Sequence, residues 1–217
     1  IAQKIEKVIA NGEKELFKII NKDITFIFGA SGAIGNYILP TFLNDIKEKI
    51  NNDVSVKIAA SDKSIEALKD KKVDMALIES PIFEDGIIYR EWLEDEIVLF
   101  SNQKLPKRLK NEDAMKFKWV IRDQRSYTSR LFKESLEFSN MNDCESFNII
   151  SEASSPTAIV QTVLHSSKDD VPTVSIVSNH AIKDYVKAGV LFEARLPEIK
   201  MNRKLYKAYL KERKHDA

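Results

Sequence analysis

Ile24-Thr25-Phe26-Ile27-Phe28-Gly29-Ala30-Ser31-Gly32-Ala33-Ile34-Gly35-Asn36-Tyr37-Ile38-Leu39-Pro40 decides how this chain is to be read. The five residues before Gly29 are apolar or β-branched, which suits a strand covered on both faces. Gly29, Ser31, Gly32 and Gly35 then remove bulk where the backbone must turn sharply and approach something closely. The N–H groups that open the following helix are free to meet an anion or a polar ligand. Two kinds of protein are built on such an element, a dinucleotide-binding enzyme and a small-molecule-sensing domain.

Working outward from this turn, Ile38, Leu39, Phe42, Leu43, Ile46 and Ile50 recur at helical spacing, with Pro40 as an expected early turn or kink. Asn51-Asn52-Asp53 ends that helix, and Val54-Ser55-Val56-Lys57-Ile58 alternates like a strand. Ser61 or Asp62 is placed to cap the helix carrying Ile65 and Leu68. Val73-Asp74-Met75-Ala76-Leu77-Ile78 reads as another buried strand, ending at Glu79-Ser80-Pro81. Strand-helix-strand-helix-strand predicts a parallel sheet with right-handed crossovers.

A second lobe is expected to start near Pro81. Ile87 to Trp92 and Glu96 to Phe100 read as two strands, and Trp119-Val120-Ile121 as a third. The loop from Arg122 to Ser129 leads into a helix ending near Phe138. Phe147 to Ile150 reads as a strand, and Ser154-Ser155-Pro156 as a helix entrance with proline in the first turn. Thr173 to Ser178 is the next strand, expected to cross back to the first lobe. A helix from Asn179 to Ala188 is stopped by Gly189. Arg203 to Leu210 mixes basic and apolar residues like an edge strand. Upstream, residues 1–20 carry Ile5, Val8, Ile9, Leu16, Phe17 and Ile20 at helical spacing. Because the chain opens on Ile1, a further domain upstream is expected.

The balance of charge narrows the function classes. The 217 residues carry 31% charged side chains and a formal net charge of +1, so no global field points to nucleic acid or membrane. No apolar run approaches the roughly 20 residues needed to span a bilayer, and the N-terminus lacks a secretory h-region. A single cysteine, Cys144 in a polar turn, excludes an intramolecular disulfide and argues against a cysteine-based zinc site. The natural location is cytoplasmic.

Gly29, Gly32 and Gly35 fit the G-x-x-G-x-x-G spacing of some short-chain dehydrogenase-like NAD(P) enzymes, and Asp62 would serve as the ribose-binding residue. Such an enzyme needs a Tyr-x-x-x-Lys pair, and no tyrosine here is followed four residues later by lysine. His165, His180 and His215 stand far apart, and Ser126 and Ser129 have no evident base. No catalytic residue, metal site or cofactor is expected.

Taken together, the run Phe28 to Pro40, the strand Val73 to Pro81 and the turn Arg125-Ser126-Tyr127-Thr128-Ser129-Arg130 resemble the effector-binding domain of LysR-type transcriptional regulators. The resemblance runs from about Asp23 to Leu210. It implies an α/β fold of two Rossmann-like lobes joined by two crossover strands, as in type 2 periplasmic binding proteins. Lobe I would comprise residues 23–81 and 175–217, lobe II residues 82–174, and residues 1–22 the end of a linker helix. It implies no enzyme activity. The expected role is binding of a small polar or anionic effector between the lobes, with Ser31, Gly32, Ser61, Pro81, Ser126, Tyr127 and Thr128 as the contacting residues. It further implies a homodimer or tetramer, signalling to DNA through an N-terminal winged helix-turn-helix absent from this chain. A free-standing solute-binding protein is the alternative on the same fold. Two departures stand out. Arg130 falls one place late in the lobe-two turn, and a glycine-free loop from His165 to Pro172 replaces the usual glycine-rich turn, so the cleft edge is expected to differ there.

Overall fold

A computed structural model describes residues 25–80, 82–139, 147–197, 199 and 201–213. The expected linker segment 1–22, Pro81 and Cys144 lie outside the described residues. The opening run forms β1 (Phe26–Ala30), flanked in parallel by β2 (Val54–Ile58) and β3 (Met75–Ile78). Between β1 and β2 the chain is helical but not one regular helix. It makes a π turn over Ile34–Ile38, a 3-10 turn over Leu39–Thr41 and then α1 (Leu43–Ile50). Pro40 has no N–H to donate, so a continuous α ladder cannot pass it. Asn51, in the left-handed conformation with φ of 51°, ends the segment. Helix α2 (Ser61–Lys69) returns the chain to β3.

The sheet order is β2, β1, β3, β9 (Asn202–Leu210), β4 (Ile87–Ser101), β7 (Thr173–Ser178), β5 (Lys118–Arg122) and β6 (Asn148–Ala153), with β8 (Phe192–Ala194) against β4. The two strands expected after Pro81 are one, β4 (Ile87–Ser101), which bends at a register shift between Glu91 and Leu93. The run Leu93-Glu94-Asp95 separates the two expected strands. It stays extended because Glu94 and Asp95 pair across to Lys204 and Arg203 of β9 (Asn202–Leu210), where Arg203 neutralises Asp95.

Lobe II adds α3 (Asn111–Ala114), β5 (Lys118–Arg122), α4 (Tyr127–Phe138), β6 (Asn148–Ala153), α5 (Pro156–Leu164), β7 (Thr173–Ser178) and α6 (Asn179–Lys187). The expectation that Thr173 to Ser178 crosses back to lobe I is not met. β7 pairs with β4 and β5, and all six of its residues are buried, its Val and Ile interspersed with small hydroxyl residues. The return crossing is β9, expected at an edge and found between β3 and β4. Its basic character misleads because Lys204 points outward while Arg203, Leu205, Ala208 and Tyr209 are buried. The boundary placed at residue 175 therefore moves to about 202.

Each lobe buries apolar residues on both faces of its sheet. In lobe I these are Phe28, Ile34, Ile38 and Leu77 on one side and Ile65, Leu68, Val73 and Ile78 on the other. In lobe II, Trp119 anchors one face, stacked on Phe132 at 5.4 Å and edge-on to Phe147 at 4.9 Å, with its indole N–H donating to the Ala114 carbonyl. Phe100, Val120, Ile159 and Val163 fill the other.

Candidate interlobe binding site

The parallel strands of both lobes aim their C-terminal ends at the gap between them, where open α/β sheets bind ligands. Ser31 follows β1 directly and is 1% exposed. Its N–H donates to the Leu77 carbonyl at 3.0 Å and its carbonyl accepts from Gly35 at 2.7 Å, but its Oγ has no partner. Gly32 stands where the lobes touch: a Cβ there would lie 3.3 Å from Cδ of Pro156 in lobe II. Ser61 is nearly buried as the first residue of α2, but Ala60 takes the N-cap position and no side chain caps this helix. The cap expected of Ser61 or Asp62 is thus not made.

Across the gap, β5 ends at Arg122 and α4 begins at Tyr127, with Ser126 in the N-cap position and making no side-chain cap bond. The hydroxyl of Ser129 donates to the Arg122 carbonyl at 2.8 Å, and Ser126 N–H to the Asp123 carbonyl at 3.0 Å, so the turn is braced from within. Thr128 is buried, and its Oγ1 accepts from Nη1 of Arg203 at 3.1 Å. Tyr127 is half-buried with the Arg130 guanidinium 5.7 Å from its ring centre. Burial raises the pKa of its hydroxyl, with Glu134 adding to the effect and Arg203 opposing it.

Between these walls runs a buried charged network that sequence reasoning missed. Arg203 has a side chain only 1% exposed; its Nε and Nη2 each lie 2.8 Å from Oδ2 of Asp95, and its Nη1 pairs with Glu79. The other Asp95 oxygen accepts from the Ser178 hydroxyl at 2.7 Å. The network ties β3, β4, β7, β9 and α4 together at the strand crossings. Arg122 joins it from β5: its Nε is buried without a hydrogen-bond partner. Burial lowers the pKa of this guanidinium, opposed by Glu79 and Asp123. The space left here, lined by Ala33, Arg122, Thr128, Pro156 and Ser178 among others, is about 10 Å³, room for about one water. Two further bonds span the lobes, Tyr37 hydroxyl to Thr157 Oγ1 at 3.0 Å and Arg130 Nη2 to Ser80 Oγ at 3.5 Å. Burial raises the Tyr37 pKa, and its bond to Thr157 opposes that.

The structure thus brings Ser31, Gly32, Ser126, Tyr127 and Thr128 to facing strand ends. The loop 165–172, expected to reshape the cleft edge, enters β7 at Thr173, while Ser178 at the other end of that strand lines the gap. At about 3.3 Å per residue, six strand residues hold the two ends roughly 17 Å apart, so the loop does not border the cleft. Asn102 and Gln103 pin it through the carbonyls of Leu164, Ser166, Ser167 and Asp170. A larger recess of about 500 Å³ lies at Glu96, Arg195, Leu196 and Met201, where the Arg195 guanidinium already grips Glu96 at 2.6 and 2.7 Å. Among the described residues no His, Cys, Asp and Glu cluster could hold a metal, and no helix is long and apolar enough to cross a membrane.

The model of the LysR substrate binding domain matches residues 25–217. The chain belongs to that family. It is 27% identical over 184 residues to the uncharacterized HTH-type transcriptional regulator YeiE of Escherichia coli K12, covering 83% of this chain and 60% of that protein. The chain thus spans less than two thirds of the length of this relative. Its fold is that of LysR-type regulatory domains, two α/β lobes of the periplasmic-binding-protein kind. The regulatory domain of MexT from Pseudomonas aeruginosa superposes with a TM-score of 0.73 at 13% identity, over 89% of this chain and 93% of that one. The CcmR regulatory domain of Synechocystis PCC6803, solved in complex with 2-PG, gives 0.70 at 16% identity, over 86% and 88%.

Proposed function

We propose that this LysR-family domain is the sensing part of a DNA-binding transcriptional regulator. It binds a small polar or anionic effector between the lobes and carries out no catalysis of its own. The observation that carries this reading is the pairing of two ligand-ready features at facing strand ends: the buried, unpartnered Ser31 hydroxyl and the uncapped α4 start at Ser126 to Thr128. Gly32, Ser61 and Tyr127 complete the proposed contact set, and the CcmR domain, with its bound 2-PG, supplies the analogy. Effector contacts to both lobes would favour one lobe arrangement over another, and that difference in affinity is the signal.

The signal would pass through a homodimer, or a tetramer built from it, to a winged helix-turn-helix in the cytoplasm. The surface supports a paired assembly. Helix α1 has no fully buried residue, with Phe42 exposed just before it and Ile58 exposed on the outer strand β2. Lobe II exposes Phe138 and, on its own outer strand β6, Ile149 and Ile150. Antiparallel pairing of two copies would cover both patches at once. The test is a thermal-shift screen of small anions and metabolites. A true effector raises Tm saturably, and Ser31→Ala weakens its binding by about tenfold while leaving the unliganded Tm within about 2 °C, as loss of one ligand hydrogen bond should. An effector that binds Ser31→Ala as well as the parent overturns the site.

A further inference from the structure

The interlobe gap carries an excess of positive charge. Arg122, Arg130 and Arg203 reach it, against the carboxylates of Glu79 and Asp95. Asp95 is fully committed, with one oxygen on Arg203 and the other on Ser178. Asp123 is balanced by Arg125, whose backbone N–H donates to it at 3.0 Å and whose Nε lies 3.4 Å away. That leaves Glu79, held by Arg203, whose charge also acts on Arg122.

Arg122 is the unresolved member. A guanidinium has five donors and never loses its charge in a protein, and its Nε here is buried without an acceptor. A buried donor left unmade costs on the order of 1–3 kcal/mol, so the position calls for an acceptor the chain does not supply. A small cavity beside it, lined by Arg122 together with Thr128 and Ser178, marks where an acceptor would enter. Across the gap, the Ser31 hydroxyl is also buried and unpartnered.

Resting on the reading of this cleft as an effector site, we propose that it takes one small anion, an inorganic oxyanion or a single carboxylate, on Arg122. Glu79, paired with Arg203, is the internal carboxylate whose charge competes with it. Three guanidinium groups against two carboxylates match an effector of one negative charge. The volume of about 10 Å³ admits about one water, so an anion of about four or five heavy atoms enters only as the lobes part. Glu79 follows β3 in lobe I and Arg122 ends β5 in lobe II, so their attraction draws the lobes together. An anion that satisfies Arg122 weakens that attraction and puts its own contacts in its place. Binding and lobe arrangement are thereby coupled through one guanidinium.

The test uses the 217-residue chain at constant ionic strength, titrated with sodium sulfate, nitrate or acetate against chloride and followed by thermal shift. At least one anion should raise Tm saturably. Arg122→Gln should weaken that binding more than tenfold, Arg122→Lys by several-fold because it keeps charge but not the fork, and Glu79→Gln should tighten it on the order of tenfold. If Arg122→Gln does not fold, the several-fold loss in Arg122→Lys is the deciding measurement. Binding unchanged by the Arg122 substitutions, Glu79→Gln binding no tighter than the parent, or no saturable response to any of the three anions overturns the proposal. A neutral metabolite that binds in a Ser31-dependent way while no anion does would sink the anion assignment and leave the sensor reading standing.

Discussion

The two walls of the cleft are built on different principles. The lobe I wall is local: Ser31, Gly32 and Gly35 lie within five residues of one another, and their roles follow from a strand-turn-helix that the backbone makes by itself. The lobe II wall is assembled from far apart in sequence. Thr128 is set by Arg203, Arg203 by Asp95 and Glu79, and Asp95 by Ser178. The first wall contributes shape and backbone donors; the second contributes charge. A turn that must come close to its neighbour needs small residues, which a short run can encode. A buried charge needs a partner, which only chain topology can deliver.

Breaking the charged wall should have the largest effect. Arg203→Met leaves Asp95 buried and unpaired, and should lower stability by about 3–5 kcal/mol in urea unfolding. Adding Asp95→Asn in the same chain should recover part of that loss, because the stranded charge is gone. If Arg203→Met costs under about 1 kcal/mol, the network is not what braces the strand crossings. Breaking the shaped wall should cost less. The Cβ of Gly32→Val would already lie 3.3 Å from Pro156, before its methyls are added, so overpacking of about 1–2 kcal/mol is expected. The strain falls between lobes, so small-angle scattering should show a larger radius of gyration while the circular dichroism of each lobe's helices and strands persists. An unchanged radius would mean the contact yields without parting the lobes.

The smallest effect sharpens the comparison from outside the cleft. Glu96 is held below the ordinary carboxylate range mainly by its hydrogen bonds from Arg195. A carboxylate with a depressed folded pKa contributes stability that is full above its unfolded value, about 4.3, and is lost as pH falls through the folded one. Both side chains are more than a third exposed, so Glu96→Gln should cost under about 1 kcal/mol at pH 7. It should also flatten the acid limb of the stability curve below about pH 4.3. An equal loss at pH 7 and pH 3 would show that the pair contributes packing, not charge.

Much of the fold was legible because periodicity reports burial. The run before Gly29, the helices over 61–69 and 156–164 and the glycine stop at Gly189 fall where spacing and turn chemistry place them. At the expected helix entrance, Ser155 caps the helix, accepting from the Ala158 N–H at 3.0 Å. Two of the misreadings share one cause. Asp95 made one strand look like two, and Arg203 made a central strand look like an edge. A charge in sequence signals solvent, and nothing within ten residues of either one reveals its partner.

The sequence by itself therefore determined the class of fold, the strand-turn-helix of lobe I and the turn that opens α4, since each rests on interactions between near neighbours. Only the tertiary structure decided which strands cross between the lobes and that Arg122, Arg203, Glu79 and Asp95 meet there. Those contacts join residues up to 124 positions apart, and a pairing of buried charges at that separation is a property of the folded topology alone.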